Sequence, residues 1–294
     1  MNCLICNNSD IEVTYEGYIR DGKVGSRTKK KMPIYKCKKC FAIWHDDLGM
    51  DYKEYYQSEM YREHVNGTSD IEDFYTIHDS LCMEKFIQTG TEIFRNKIVA
   101  DIGCGGGSFL NYISTVAKEI IAIEPSKKYQ EELKRRGYKV YSYASEALED
   151  YANSIDIVIS FDVIEHVNNP VEFVLESKKL LKKEGRAIIG TPTESPIMRK
   201  MLLDTYDEFL FCTQHLWVLG KESFKEITKI CGITKYDIKY YQRYGIGNFI
   251  SWLVNKEPRG NITYDFISKT LDNVWKIELE HQELADYIIL DYEK

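Results

Sequence analysis

Apolar and polar positions change rhythm several times along the chain of 294 residues. From Lys97 onward, short apolar runs alternate with amphipathic stretches. Ile98–Ile102, Ile120–Ile123, Lys139–Tyr143, Ile155–Phe161 and Arg186–Ile189 have the composition of buried strands. Between them Ser108–Ala117, Ser126–Arg136, Ser145–Tyr151 and Pro170–Leu181 have helical spacing; Pro170 suits a first turn, and Gly137 and Gly185 suit helix exits. This alternation predicts an α/β fold, a doubly wound and mostly parallel sheet with helices on both faces.

The flanks follow other rhythms. Asp51 to Phe94 shows helical spacing at Leu81, Lys85/Phe86 and Ile93, preceded by Tyr52, Tyr55, Tyr56, Tyr61 and Tyr75. A last helix is predicted over about Tyr264–Tyr292, with apolar positions at Ile267, Leu271, Val274, Trp275, Leu279, Leu284 and Ile288. It would pack on the body or on a second subunit of a homodimer. The Gly- and Lys-rich interior of the first segment, Gly17 to Pro33, predicts an exposed loop or hairpin. Four segments result: 1–48, 49–95, 96–255 and 256–294.

Composition narrows the class. Hydrophobic residues at 44% and charged residues at 29% exclude a disordered chain. No run reaches the roughly 18–20 apolar residues of a membrane span, and Met1–Arg20 lacks a basic start followed by an apolar core, so a cytoplasmic setting is expected. The net charge of −7 hides an asymmetry. All nine basic residues of the first forty lie between Arg20 and Lys39, against four acidic ones, leaving a balance of −12 on the remainder. Such a body has no broad attraction for nucleic acid.

Cysteines supply the first chemistry. Cys3 and Cys6 form one C-x-x-C pair and Cys37 and Cys40 another, with thirty residues between the pairs. Without an export signal, such pairs point to a metal rather than to disulfides. Four thiolates complete a tetrahedral Zn2+ shell with no open position, hence a structural site in a zinc ribbon. His45, close by, is expected at the surface.

The second signal is Val99-Ala100-Asp101-Ile102-Gly103-Cys104-Gly105-Gly106-Gly107-Ser108, which ends a strand and opens a helix. Glycines at 103, 105 and 107 allow a sharp turn and let a ligand lie on bare backbone. Asp101 places a carboxylate where a ligand ammonium can sit. Glu124 closes the next strand, where an acidic side chain accepts both hydroxyls of a ribose. The spacing G-x-G-x-G differs from the G-x-G-x-x-G of nicotinamide-dinucleotide sites.

This pattern resembles the class I S-adenosylmethionine-dependent methyltransferases, and the resemblance continues downstream. Ile155-Asp156-Ile157-Val158-Ile159-Ser160-Phe161-Asp162-Val163-Ile164-Glu165-His166-Val167 looks like their fourth-strand motif, and Leu180–Gly185 with Ala187–Pro192 looks like the following helix and fifth strand. The resemblance implies a seven-stranded Rossmann-like sheet and S-adenosylmethionine as cofactor. It assigns Asp101, Gly103, Gly105 and Gly107 to the cofactor loop, Glu124 to the ribose, Tyr143, Ala144 and Ser145 to the border of the adenine, and Asp162 to the mouth of the active site. Cys104 fills a variable position without a chemical role.

Methyl transfer to a hydroxyl or carbon acid needs a base. His166 suits proton transfer near neutrality, and the Glu165-His166 pair borders the acceptor in related small-molecule enzymes. His215 resembles a recurrent histidine of the family's substrate-side insert. His64, His78 and His281 are expected to be solvated. The tyrosines between 52 and 75 stand where relatives place a lid, although helix packing accounts for most of them. Arg243 is a candidate phosphate ligand or a solvated surface residue.

The four-cysteine module joined to this domain resembles bacterial sugar methyltransferases, which implies a small polar acceptor such as a nucleotide-linked sugar. A zinc-ribbon RNA base methyltransferase is the alternative, supported by Arg27, Lys29, Lys30, Lys31, Lys36, Lys38 and Lys39 and opposed by the acidic body. A non-catalytic cofactor-binding scaffold is the third reading.

Overall fold

The computed structural model describes residues 1–46, 48–49 and 51–294. Its strands are β1 (Ile11–Gly17), β2 (Met32–Cys37), β3 (Ile43–His45), β4 (Ile98–Ile102), β5 (Glu119–Ile123), β6 (Lys139–Tyr141), β7 (Ile155–Phe161), β8 (Leu181–Pro192), β9 (Trp217–Val218), β10 (Lys235–Tyr241) and β11 (Tyr287–Glu293). Seven of them form one sheet in the order β10-β11-β8-β7-β4-β5-β6. The pairs β4–β5, β4–β7 and β5–β6 are parallel, and helices Ser108–Ile113, Lys127–Arg135, Ala144–Tyr151 and Pro170–Leu180 fill the connections. The apolar runs of β4, β5 and β7 are buried nearly throughout, as strands covered on both faces require. Asn169 starts the helix Pro170–Leu180 by accepting from Val171 and Glu172 N–H, with Pro170 in the first turn. This is a Rossmann-like, doubly wound α/β fold.

The predicted strands and helices of this region are all present, with shifted ends. β8 begins at Leu181 instead of Arg186. Gly185 therefore sits inside a strand rather than at a helix exit. A Cβ there would stand 3.0 Å from the carbonyl oxygens of Ile155 and Lys182, so glycine serves close backbone approach.

The end of the chain corrects the long C-terminal helix. A helix is present over Lys269–His281, but the chain then becomes β11, inside the large sheet. Thr193 N–H donates to Asp286 O at 3.0 Å and Lys294 N–H to Gly185 O at 2.9 Å, so β11 runs antiparallel to β8. Tyr287, Ile288, Leu290 and Tyr292 are buried, whereas Leu271 and Val274 on the helix are exposed.

Two compact units are built from discontinuous stretches. One comprises Met1–Asp46, Gly190–Ile227 and Asp237–Leu290; the other comprises Asp47–Ile189, Thr228–Tyr236 and Asp291–Lys294. In the first, β1, β2, β3 and β9 form an antiparallel sheet in that order. Its Ile34 and Ile43 share a core with Met198, Leu202, Tyr206, Phe211 and Trp252. The segment between β1 and β2 is not wholly exposed, because Ile19 is fully buried in that core. His45 is also buried, contrary to its expected surface position. Its ring nitrogens bond Asp46 O at 2.8 Å and Cys212 O at 3.2 Å.

Candidate functional site

Three neighbouring strands of the second unit deliver the site. β4 leads into Gly103, β5 into Glu124 and β7 into Asp162, and β4 lies between the other two. Open α/β sheets bind ligands at the carboxyl ends of their strands, where the order of strands reverses.

The glycine loop is stitched to the end of β5. Gly103 N–H donates to Ile123 O at 2.7 Å and Gly105 N–H to a Glu124 carboxylate oxygen at 2.8 Å; the other carboxylate oxygen accepts from Ser126 N–H at 2.8 Å. Gly103 and Gly105 have φ of 78° and 56°, and a Cβ on Gly103 would fall 2.2 Å from Val163. Only glycine fits such a backbone in so narrow a space. Glu124 is buried, and burial raises its pKa, while the charge of Arg62 and the two N–H bonds act in the opposite sense. A carboxylate offers about four acceptor sites, so two remain for ribose hydroxyls.

A cavity of about 400 Å³ opens in front of this loop. Gly103, Glu124, Tyr143, Ala144, Asp162 and His166 line it. A smaller adjoining one of about 120 Å³ is lined by Asp101, Gly105 and Asp162, among others. Ser145 is exposed and lines neither; Gly107, with φ of 85°, shapes the loop from behind. Asp101 is buried, and burial pushes its pKa up to about 7, with Lys85 pulling it down and Glu124 adding to the rise. Asp162 pairs with Lys85 and has φ of 59°, an uncommon conformation for a residue with a side chain.

His166 is nearly buried. Its Nδ1 lies 3.1 Å from the Tyr56 hydroxyl, and its Nε2 lies 3.9 Å from Glu165 Oε1. Tyr52, Tyr56 and Tyr61, on helices Tyr52–Gln57 and Met60–Asn66, line the larger cavity, so three of the five early tyrosines do more than pack helices. Arg62, which the sequence does not single out, lies over the rings of Tyr61 and Phe74 at 5.0 Å. His78 is not solvated. Burial and the nearby Arg62 charge lower its pKa to about 3, and it lines the smaller cavity. His64 is half-buried on the Tyr55 hydroxyl at 2.9 Å, and His281 is exposed as expected.

His215 belongs to the first unit, where it lines a separate cavity of about 410 Å³. Arg243 is neither solvated nor waiting for a phosphate, since it pairs with Asp286 at 3.4 Å. The four expected metal ligands meet in the same unit, with Cys3, Cys6, Cys37 and Cys40 sulfurs all within 4.8 Å of one another. Of the basic residues near them, Arg27, Lys36, Lys38 and Lys39 pair with Glu208, Glu194, Asp10 and Glu226. The other three cations of the run, Lys29, Lys30 and Lys31, are exposed and make no ion pair among the described residues.

Fold and glycine loop together define a methyltransferase-type nucleotide site. A family model described as a methyltransferase domain matches residues 75–235, more than half of the chain, and the chain belongs to that family. Among curated relatives, the ubiquinone biosynthesis O-methyltransferase of Pelagibacter ubique is 30% identical over 120 residues, 39% of this chain and 50% of that protein. The enzyme of the same name from Roseobacter denitrificans is 24% identical over 111 residues, 36% and 45% of the two chains. The chain thus spans about half the length of the curated relatives it matches. A SAM-dependent methyltransferase from Archaeoglobus fulgidus superposes with a TM-score of 0.53 at 17% identity, over 76% of this chain and 97% of that one. Phosphoethanolamine N-methyltransferase 2 of Haemonchus contortus, solved with S-adenosyl-L-methionine, gives 0.51 at 15% identity, over 86% and 63%. At these identities the two structures speak for the fold.

Proposed function

We propose that this protein is an S-adenosylmethionine-dependent methyltransferase acting on a hydroxyl of a small polar acceptor, a nucleotide-linked sugar. The observation that carries the reading is the convergence of three strand ends on one cavity, which brings together bare glycine backbone, a buried Glu124 and Asp162. When bound, S-adenosylmethionine supplies an activated methyl group and its own leaving group. The chain's residues hold and align. Glu124 accepts the ribose hydroxyls, Tyr143 and Ala144 border the adenine, and Asp101 faces the ammonium. Gly103, Gly105 and Gly107 keep side chains out of the way. His166, oriented by Tyr56 and Glu165, takes the acceptor proton. Alignment of this kind is worth roughly 7–11 kcal/mol and a placed base about 10²–10⁴ in rate. The relatives' printed names support oxygen as the acceptor atom. They also favour a second reading of the acceptor, an intermediate of ubiquinone biosynthesis.

We also propose that the four cysteines hold a structural Zn2+. Cys3–Cys40 and Cys6–Cys37 sulfurs are 3.6 and 3.5 Å apart. A tetrahedral shell with Zn–S of roughly 2.3 Å has edges of about 3.8 Å, so the donors fit the ion with slight expansion.

Calorimetry with S-adenosylhomocysteine, followed by transfer of labelled methyl to nucleotide sugars, RNA and ubiquinone precursors in parallel, tests the reading. His166→Ala is expected to lower kcat about 10²–10⁴-fold with cofactor affinity unchanged. Failure to bind S-adenosylhomocysteine would overturn the assignment, and an unchanged rate in the variant would remove His166 from it.

A further inference from the structure

The missing side chains of the glycine loop make room for protein as well as for a ligand. A Cβ on Gly105 would stand 2.6 Å from the Phe74 ring, and one on Gly106 would stand 2.8 Å from Ile71 and from Phe74. On Gly107 it would meet an Arg136 nitrogen at 2.8 Å and Leu133 at 3.0 Å. Ile71 and Phe74 belong to the helix Ile71–Thr89; Leu133 belongs to the helix Lys127–Arg135, which Arg136 caps. Glycine at these positions lets two helices close directly on the backbone of the loop.

Such a loop has little stiffness of its own, because glycine loses more conformational freedom on ordering than any other residue. Two side chains hold it. The buried Gly106 carbonyl accepts from Arg136 Nη1 at 2.9 Å and from the Tyr75 hydroxyl at 3.1 Å, which occupies both its lone pairs. The same Nη1 lies 3.3 Å from the Tyr75 oxygen, so the two donors are tied to each other. Arg136 Nη2 donates to Asn111, on the helix Ser108–Ile113 that the loop opens, and to the Tyr138 hydroxyl at 3.1 Å. Among the described residues no carboxylate pairs with this guanidinium, and Glu132, one turn earlier, pairs with Arg135 at 2.7 Å. Its donors are directed instead at neutral acceptors around the loop. On either side of Gly106 along the chain, Gly105 N–H holds Glu124 at 2.8 Å and Gly107 N–H closes the turn on Cys104 O at 2.9 Å. A rotation of the Gly106 peptide would disturb both.

We propose that Arg136 and Tyr75 are positioning residues for the cofactor, a latch that fixes the Gly106 peptide from behind and so keeps Gly105 N–H and Glu124 in the arrangement that receives the ribose. The inference rests on Glu124 as the ribose acceptor. Neither residue lines the two cavities of the site, so each acts through the loop. Without the latch the loop populates other peptide orientations, and apparent affinity falls in proportion to the population of the receptive one.

S-adenosylhomocysteine is titrated by calorimetry into the full chain and its variants. Arg136→Gln should weaken binding about tenfold, and Tyr75→Phe, which keeps the ring and its packing, about threefold. Arg136→Lys keeps a donor for the Gly106 carbonyl and should lose less than about threefold. Tyr138→Phe removes a hydrogen bond of the same guanidinium that does not reach the loop. It should leave the affinity within about twofold, which separates a latch from general support of the fold. Unchanged affinity in both Arg136→Gln and Tyr75→Phe would overturn the proposal, as would equal weakening by Tyr75→Phe and Tyr138→Phe. Wild-type protein that takes up no S-adenosylhomocysteine would overturn the cofactor reading together with the latch, a result distinct from unaltered binding in the variants.

Discussion

Asp101 combines two requirements that conflict in an empty site. Its carboxyl is buried beside the smaller cavity, and burial outweighs the pull of Lys85, bringing its pKa to about 7. In an unfolded chain the value is about 3.9. The folded protein therefore binds the proton more tightly than the unfolded chain does. The resulting stabilisation is complete below about pH 4 and is lost as pH rises through about 7. Asp101→Asn should flatten the melting temperature of the ligand-free protein across that window. A cofactor ammonium beside Asp101 would favour the carboxylate and expel the proton. Binding of S-adenosylhomocysteine at pH 7 should then release roughly half a proton, read as a heat that differs between buffers of different ionisation enthalpy. Equal heats in both buffers would show that Asp101 does not face the ammonium. The position of Asp101 was legible in the sequence because strand, turn and carboxylate are contiguous. The burial of His45 and His78 was not, because their partners, Cys212 for one and Arg62 for the other, lie on different elements.

At the scale of elements, period and length carried the central strands well and failed at the end of the chain. Ile98–Ile102 and Ile155–Phe161 are apolar on both faces, which marks a buried parallel strand. The last thirty residues mix helix and strand. Leu279, Leu284 and Ile288 continue a helical spacing and suggest one long helix, whereas Ile288, Leu290 and Tyr292 recur at every second residue, the period of a strand. The sheet overrides the helical spacing, since β11 fills the place between β8 and β10 and buries those residues. The two assignments predict different energetics. Leu290→Ala removes a fully buried side chain and should cost about 2–5 kcal/mol in denaturant unfolding. Leu271→Ala, at a position 46% exposed, should stay within about 0.5 kcal/mol. Equal, small effects at both positions would contradict the inserted strand.

At the scale of the whole molecule, the cysteine ribbon does not stand alone. The spacing of the cysteines disclosed the four-sulfur cluster, but not what the ribbon packs on, because Ile34 and Ile43 are too few to reveal a core completed by residues near 200 and 250. Ser223 donates to Cys40 O at 2.9 Å, tying one cysteine knuckle directly to the helix Lys221–Ile230. A metal at the four sulfurs would thus cross-link the two ends of the ribbon while the shared aliphatic core holds its sheet. Structural zinc contributes an apparent binding free energy of roughly 10–16 kcal/mol in small peptides. Even a fraction of that, at roughly 2–4 °C per kcal/mol in a domain of this size, exceeds about 10 °C. The purified protein should carry one zinc per chain by elemental analysis, and Cys37→Ser should lose it and melt more than about 10 °C lower. Because Ile19, Ile34 and Ile43 keep their apolar neighbours, the variant should still unfold cooperatively at low temperature rather than lose its ribbon outright. Metal-free wild-type protein, or a variant that melts like wild type, would leave the four thiols as a packing cluster and remove zinc from the architecture.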